Sequence, residues 1–329
     1  MKRSLFCVAL LLAGAMIAAA TPADITYTEG DTTLRLKTGK RQDAQIGDSL
    51  NTGDTLKTGS DGQAELNQKG VTIKIAHGTV FTLMERELAG KTSSVLSVAL
   101  GSIKYKYDKV SGSEPYIRTN GAVAGVRGTE FTVFSGADGS TLIAVDSGQV
   151  DVEAEGKTVQ LAAAQGVEVP LGQPPGEPIP LKSNQIDYSK WNSDKLAAML
   201  ADPVGAMTSI QGVMDEYVKN ETDYYNQYLA SNLQLQQAFQ TYKQIGQDKG
   251  ADEAKKYQED VYLPLTVNTS RLVLNYRFYS LAALSLRRFI AGRMYVTLKA
   301  RYITNPDAPE WKDFNASFDS FLSTFEQSI

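Results

Sequence analysis

The sequence predicts a two-domain chain. An all-β N-terminal domain, either a sandwich or a coiled β-solenoid, is followed by an all-α helical bundle containing a long helical hairpin. Three observations carry this expectation. Glycine is concentrated early, with 20 between positions 25 and 172 and five beyond 185. Twelve of the 16 tyrosines lie beyond 185. Between these halves Pro170, Pro174, Pro175, Pro178 and Pro180 make a stiff, extended stretch. The expected boundaries are 1–20 for an export signal, 24–172 for the β domain, 173–185 for a proline-rich linker and 186–329 for the helical domain.

The chain opens on the basic Met1-Lys2-Arg3, followed by an apolar run from Leu5 to Ala20. This reads as a secretory signal, with Ala18 and Ala20 at the small-residue cleavage positions. An uncleaved anchor is the alternative, although the run is short for one. Cys7, the only cysteine, precedes most of the apolar run and would leave with the signal. The mature chain would then hold no disulfide and no thiolate ligand, and its stability would rest on burial. Loss of Lys2 and Arg3 leaves 31 basic residues against 37 acidic ones, a charge of −6 where the whole chain has −4. That balance argues against nucleic-acid binding, which needs a basic footprint. The most apolar later segment, 263–296, carries Arg271, Arg277, Arg287, Arg288 and Arg293, so it is not expected to span a bilayer.

Period-two alternation marks the β half: Leu34/Leu36, Val71/Ile73/Ile75, Leu96/Val98/Leu100, Ile103/Tyr105/Tyr107, Phe131/Val133, Ile143/Val145, Val150/Val152, Val159/Leu161 and Val167/Val169. Turns are expected at Asp61-Gly62, Lys69-Gly70, His77-Gly78, Asp138-Gly139 and Ser147-Gly148. In the second half, Asp202-Pro203 supplies an N-cap and a proline at the first helical position. The helix it opens runs to Gln247, about 66 Å if unbroken, and residues 247–250 form the turn. A second run covers 251 to about 304, with a kink or break expected at Pro264. Further helices are expected near Ser189–Leu200 and over Asp307–Gln327.

One stretch is less generic, Thr119 to Val133, TNGAVAGVRGTEFTV. Glycines at 121, 125 and 128 surround Arg127 and Glu130, and the alternating Phe131-Thr132-Val133 follows. The residues predict a corner in which Arg127 and Glu130 pair before Phe131 enters the core. If that pair is buried, removing one partner costs about 3–5 kcal/mol. The motif residues Gly125, Arg127, Gly128, Thr129, Glu130 and Phe131 are expected to be structural, with a charged interaction handle as the alternative.

With Gly47-Asp48, Thr52-Gly53-Asp54, the segment GSDGQAEL from Gly59 to Leu66, Val71–Ile75, Leu100–Ile103, Val145–Val150 and Leu161–Val169 in order, the 25–172 region resembles the FecR domain. The resemblance implies a periplasmic β module that meets another protein. In the regulators that name the family, the domain is joined to a membrane helix and a cytoplasmic sigma-factor-binding segment. Neither is expected here, so the signalling role is not carried over with the fold.

Reaction chemistry finds little support in the residues. His77, the only histidine, sits in a turn composition, Ala76-His77-Gly78-Thr79. Glu85/Glu87 and Asp151/Glu153 could serve as the acid pair of a glycan hydrolase, but solvated strand faces account for them more simply. No GxSxG or GxGxxG spacing occurs. No metal and no cofactor is expected. The many tyrosines after 217 suit a helix core with a polar rim, and a glycan-binding surface is the alternative. The expectation is a non-enzymatic, exported envelope protein whose β module is an interaction scaffold or sensor for a protein partner. Alternatives are a peptidoglycan- or glycan-binding module and, more remotely, a carboxylate-pair hydrolase. A homodimer through the helical domain is a further expected mode of association.

Overall fold

A computed structural model describes residues 21–88, 91–107 and 115–328, without the side chains of 87, 88, 91, 92, 127 and 128. The export signal, with Ala18 and Ala20, lies outside the described residues. The chain is β-rich to about residue 180 and helical thereafter.

The strands are β1 (Ala23–Glu29), β2 (Thr32–Arg35), β3 (Arg41–Asp43), β4 (Ser49–Leu50), β5 (Thr55–Thr58), β6 (Gln63–Gln68), β7 (Val71–Ile75) and β8 (Val80–Leu88). Then follow β9 (Lys91–Tyr107), β10 (Tyr116–Arg118), β11 (Val123–Ser135), β12 (Thr141–Ala154), β13 (Lys157–Ala162), β14 (Gln165–Val169) and β15 (Ile179–Pro180). Their pairings fall into two layers. One runs β3-β2-β5-β8, then through the first half of β9 to β10, the first half of β11, the second half of β12 and β13. The other runs β4-β1-β6-β7, then through the second halves of β9 and β11, the first half of β12, β14 and β15. Among the described residues only β10 and β9 pair in parallel. The inward residues of both layers make one core, including Leu34, Phe81, Leu96, Ile73, Tyr105, Phe131 and Val145, each 1% exposed or less.

Three long strands therefore pass from one layer to the other, and each bends where it crosses. In β9 the bend is at Gly101, whose φ is +105°. A Cβ there would lie 2.4 Å from the Thr79 Cα. In β12 it is at Gly148, φ +79°. In β11 it is at the motif. Here the structure corrects the sequence reading. Ser147-Gly148 does not end a strand, and Leu100 and Ile103 belong to one strand rather than two. A positive-φ glycine redirects the backbone while the ladder continues on both sides. Strands β1, β3, β4, β5, β10 and β15 carry too little alternation to be marked in advance. Gln63–Gln68 hides its strand within a polar composition. His77 does lie in an exposed turn.

The helices are α1 (Tyr188–Ala201), α2 (Pro203–Asp248), α3 (Ala251–Tyr257), α4 (Leu263–Ser285), α5 (Gly292–Arg301) and α6 (Pro309–Ser328). Asp202 caps α2 by accepting from the Gly205 amide at 3.0 Å. The 46 residues of α2 span about 69 Å. It runs antiparallel to α4: Ser231 meets Thr269, Tyr225 meets Tyr276 and Phe239 meets Tyr262. The break expected at Pro264 takes the form of a π-helical turn, Gln258–Tyr262, just before it. Proline lacks an amide hydrogen and its ring crowds the preceding turn, which a wider turn relieves. A second π turn, Leu286–Ala291, joins α4 to α5.

The helices do not make their core alone. Met84 and Val95, directly opposed on β8 and β9, point outward from the first layer into it, each 2% exposed. Met214, Phe278, Leu286, Ile290, Met294, Phe314 and Phe321 close around them.

Replacing Gly101 by alanine is expected to cost at least about 2 kcal/mol, from positive-φ strain together with the clash on Thr79. Gly78→Ala, also at positive φ but with open space around its Cβ, should cost about 1 kcal/mol. Urea unfolding midpoints of the two variants check the contrast.

Candidate functional site

Two constellations stand out, one at the corner in β11 and one where the helices meet the sheet. At the corner, Arg127 opposes Gln149, Glu130 opposes Ser147 and Phe131 opposes Val145. Two residues, Gly128 and Thr129, thus face the single Gly148, and the register recovers at once by leaving Asp146 without an opposite partner. Paired bulges of this kind sharpen twist and re-aim side chains. Phe131 is fully buried and stacks on Tyr105 with centroids 5.0 Å apart. Thr129 is 3% exposed and its hydroxyl has no partner among the described residues. The Tyr116 ring lies beside Gly125, 3.7 Å from where a Cβ would be, an ordinary contact distance.

The charge that meets Glu130 is Lys104 on β9, at 2.7 Å. The same ammonium bonds Asp146 at 3.0 Å. Asp146 also accepts from the Ser183 amide and hydroxyl, so the proline-rich stretch is tied back to the corner. The Arg127 side chain, and with it the expected Arg127–Glu130 pair, lies outside what is described. The Glu130 side chain is half-buried, 32% exposed. Water competes for such a carboxylate, and exposed pairs contribute about 1 kcal/mol or less. Burial works against the charged forms of both Asp146 and Lys104. The bonds from Ser183 and Lys104 outweigh it and hold the Asp146 pKa below its ordinary value. The bonds to Glu130 and Asp146 likewise raise that of Lys104.

At the seam, Arg86 on β8 and Arg118 on β10 face the helices. The Arg86 guanidinium lies over Phe278 at 4.7 Å and Tyr279 at 5.3 Å, and donates to the Tyr279 hydroxyl at 2.9 Å. The Arg118 guanidinium, in a residue 4% exposed, lies over Tyr217 at 5.0 Å and Phe278 at 5.1 Å. The Phe278 ring is thus shared by two cations from the sheet. Such contacts are worth about 2 kcal/mol when desolvated. The Tyr217 hydroxyl donates to the Asn120 carbonyl at 3.2 Å. Glu216, next to Tyr217 on α2, has its pKa raised by desolvation and by Glu155, against the opposing pull of Arg118 and Arg86.

Neither constellation converges on a reaction centre. Glu85 is half-buried rather than solvated, and its pKa is raised by burial despite a bond from Thr52 and the nearby Arg277 and Lys37. The side chain of Glu87, its expected companion, is outside the described residues. Asp151 accepts from Gln160 at the sheet edge. Among the described residues no group of three histidine, cysteine or acidic side chains is placed to hold a metal ion. No described helix is long and apolar enough to cross a membrane. Sequence patterning missed Lys104, Asp146, Arg86 and Arg118 as key contacts, because each acts on residues far along the chain.

Glu130→Gln is expected to lose about 1 kcal/mol or less of stability, measured by thermal unfolding at pH 7. Asp146 contributes stability that is present above about pH 4, its unfolded value, and is lost as the pH falls through its lower folded pKa. The Lys104 contribution is full below about pH 10.4 and is lost as the pH rises through its higher folded value. Asp146→Asn should therefore flatten the acid limb of the stability profile and leave Lys104 held by Glu130 alone. Arg118→Met should cost about 2 kcal/mol and alter the near-ultraviolet dichroism of the seam tyrosines.

Residues 54–151 match the family model for FecR protein. The match is shorter than the 25–172 span of the sequence resemblance, and it contains the whole corner motif. No curated protein matches the chain. Two crystal structures described as "a putative anti-sigma factor from Parabacteroides distasonis ATCC 8503" are similar at 13% identity. Their TM-scores are 0.32 and 0.33, and the alignments cover 42% and 40% of this chain. The chain spans 63% and 61% of the length of those structures, under two thirds. The chain thus carries a FecR domain over residues 54–151, within its β region and followed by a helical region outside the match.

Proposed function

We propose that this is an exported cell-envelope protein in which the FecR-like β module, with expected bounds 24–172, is a non-catalytic scaffold for a protein partner. On this reading a proline-rich stretch, 173–185, leads into a helical domain, 186–329, that presents the partner-facing surface. The two β layers work as a sandwich, and Gly125, Arg127, Gly128, Thr129, Glu130 and Phe131 serve as its corner rather than as a contact surface. The observation that carries this reading is the burial of Thr129 and Phe131 within that motif. The most distinctive residues of the FecR match are spent on crossing between layers, with Thr129 at 3% and Phe131 at 0% exposure. Large apolar side chains are instead exposed on the helical hairpin. Leu229 and Leu233 on α2 are 47% and 57% exposed and Val267 on α4 is 47% exposed.

Site-specific photocrosslinking from position 229 or 233 in the native envelope tests the proposal. Adducts with a distinct envelope protein are the expected result, and adducts with a second copy of the chain would make the helical region a dimerisation element. Saturable capture on purified peptidoglycan without protein adducts would favour the glycan-binding alternative. Hydrolysis of a polysaccharide, abolished by a single carboxylate change, would contradict the non-catalytic reading.

A further inference from the structure

The two layers end in four edge strands. Three are short: β3 has three residues, β4 has two, and β15 has two, of which Pro180 has no amide hydrogen to donate. The fourth, β13, has six residues and no proline, and β12 is its one paired neighbour among the described residues. A long edge without such blocks is a template for a further strand. Glu155 and Gly156, with φ of +47° and +69°, make the two-residue turn between β12 and β13. Positive φ at both positions marks a type I′ turn, which is closed by a hydrogen-bonded pair. That sets the alternation along the ladder: Ala154 with Lys157, Val152 with Val159 and Val150 with Leu161 exchange backbone bonds. The backbone groups of Thr158, Gln160 and Ala162 therefore point out of the sheet edge. Ala162 bears this out, its amide donating to the Gln165 side-chain oxygen at 2.8 Å. The amides of Thr158 and Gln160, both exposed residues, have no such partner among the described residues.

The side chains flanking this edge differ by face. On the inner side Leu161 is buried in the core and Val159 packs against it. On the outer side Thr158 and Gln160 stand opposite Glu153 and Asp151 of β12, and Gln160 donates to Asp151 at 2.9 Å. With Glu155 in the turn, the strip from 149 to 162 sets three acids against one cation, Lys157. The Lys157 ammonium is itself drawn to Glu177, at 3.6 Å. The edge is therefore acidic. A second copy paired along β13 would continue one acidic face into another. A strand with lysine or arginine at every second position would instead bring cations to it. The β12 acids lie two strand spacings from an added strand, about 10 Å, a gap that a long basic side chain and a carboxylate close between them. The alternate residues of such a strand would extend the apolar row of Val159 and Leu161.

We propose that β13 is a docking edge for an extended segment of a protein partner, alternately apolar and basic, which joins the first layer as a further strand. Backbone bonds to Thr158 and Gln160 supply the pairing, and the acids of β12 select the sequence. The inference rests on the scaffold reading of the β module and gives that module a surface of its own, apart from the α2–α4 hairpin.

The test uses the full chain and a synthetic peptide alternating valine and lysine over about eight residues. Two control peptides carry glutamate in place of lysine, or methyl groups on every backbone nitrogen. Fluorescence anisotropy reads binding and amide hydrogen exchange reads its place. Saturable binding of the lysine peptide is expected, with the Thr158 and Gln160 amides gaining protection, and each control should bind at least about tenfold more weakly. Gln160→Pro removes an outward amide and no bond to β12, so the edge should still fold and lose the peptide. Asp151→Asn combined with Glu153→Gln leaves the backbone untouched and should weaken binding about tenfold, which keeps the test decisive should the proline variant misfold. The proposal is overturned if the lysine peptide shows no saturation, if the methylated peptide binds equally well, if the double variant binds unchanged, or if Thr158 and Gln160 stay unprotected in the complex. Dimerisation of the native chain that Gln160→Pro abolishes would give the edge to a second copy and overturn it too. Crosslinking from positions 229 and 233 reads the hairpin separately. Peptide binding without hairpin adducts keeps the docking edge, and hairpin adducts without peptide binding remove it alone.

Discussion

The β region is held together by a geometric constraint more than by any single contact. Three strands, β9, β11 and β12, must each leave one layer and join the other while keeping neighbours on both sides. A strand that continues straight would expose one half of its inward side chains, because alternate residues face opposite sides of a sheet. Each crossing therefore needs a local backbone defect at a matching height. Gly101 and Gly148 supply two of them through positive φ, and the bulge at Gly128-Thr129 supplies the third. Once these are set, Tyr105, Phe131 and Val145 arrive in register within one core. The Lys104 ammonium on β9 can then reach Glu130 on the adjacent β11 and Asp146 on β12 beyond it.

The helical region is bound to this frame from outside. Met84 and Val95 supply apolar surface to it, and Arg86 and Arg118 lay cations on the rings of Phe278, Tyr279 and Tyr217. A guanidinium keeps donors at its rim while its face rests on a ring, so it suits a seam with few carboxylates. The helical arginines follow the same habit. Arg287 lies over Phe325, and Glu221 is bonded by Ser280. Beyond the seam the α2–α4 hairpin is held by ring contacts and by the Ser231–Thr269 bond, with apolar side chains left exposed along it.

Features set by near neighbours were legible in the sequence. The Asp202-Pro203 start of α2, the Gly250 turn, the break before Pro264 and the period-two runs at Val71–Ile75 and Val167–Val169 all follow from local chemistry. The corner was legible too, through its unusual mixture of glycine and charge. What was hidden depends on distance along the chain. A glycine that bends a strand reads the same as one that ends it, so Gly101 and Gly148 could not be told from turn residues. The bond between Arg86 and Tyr279 joins residues 193 apart. Glu130 shows the limit most sharply: its contact with Lys104 is brought about by the pairing of β9 with β11.

Native-state hydrogen exchange across the corner tests most directly whether the crossing of strands is what holds the β region. Amides of Phe131, Val133, Ile143 and Val145 should exchange only through global unfolding, with the full unfolding free energy, while those at the far end of the α2–α4 hairpin open locally at lower cost. Corner amides that exchange by cheap local opening, with the rest of the β region still protected, would contradict the account.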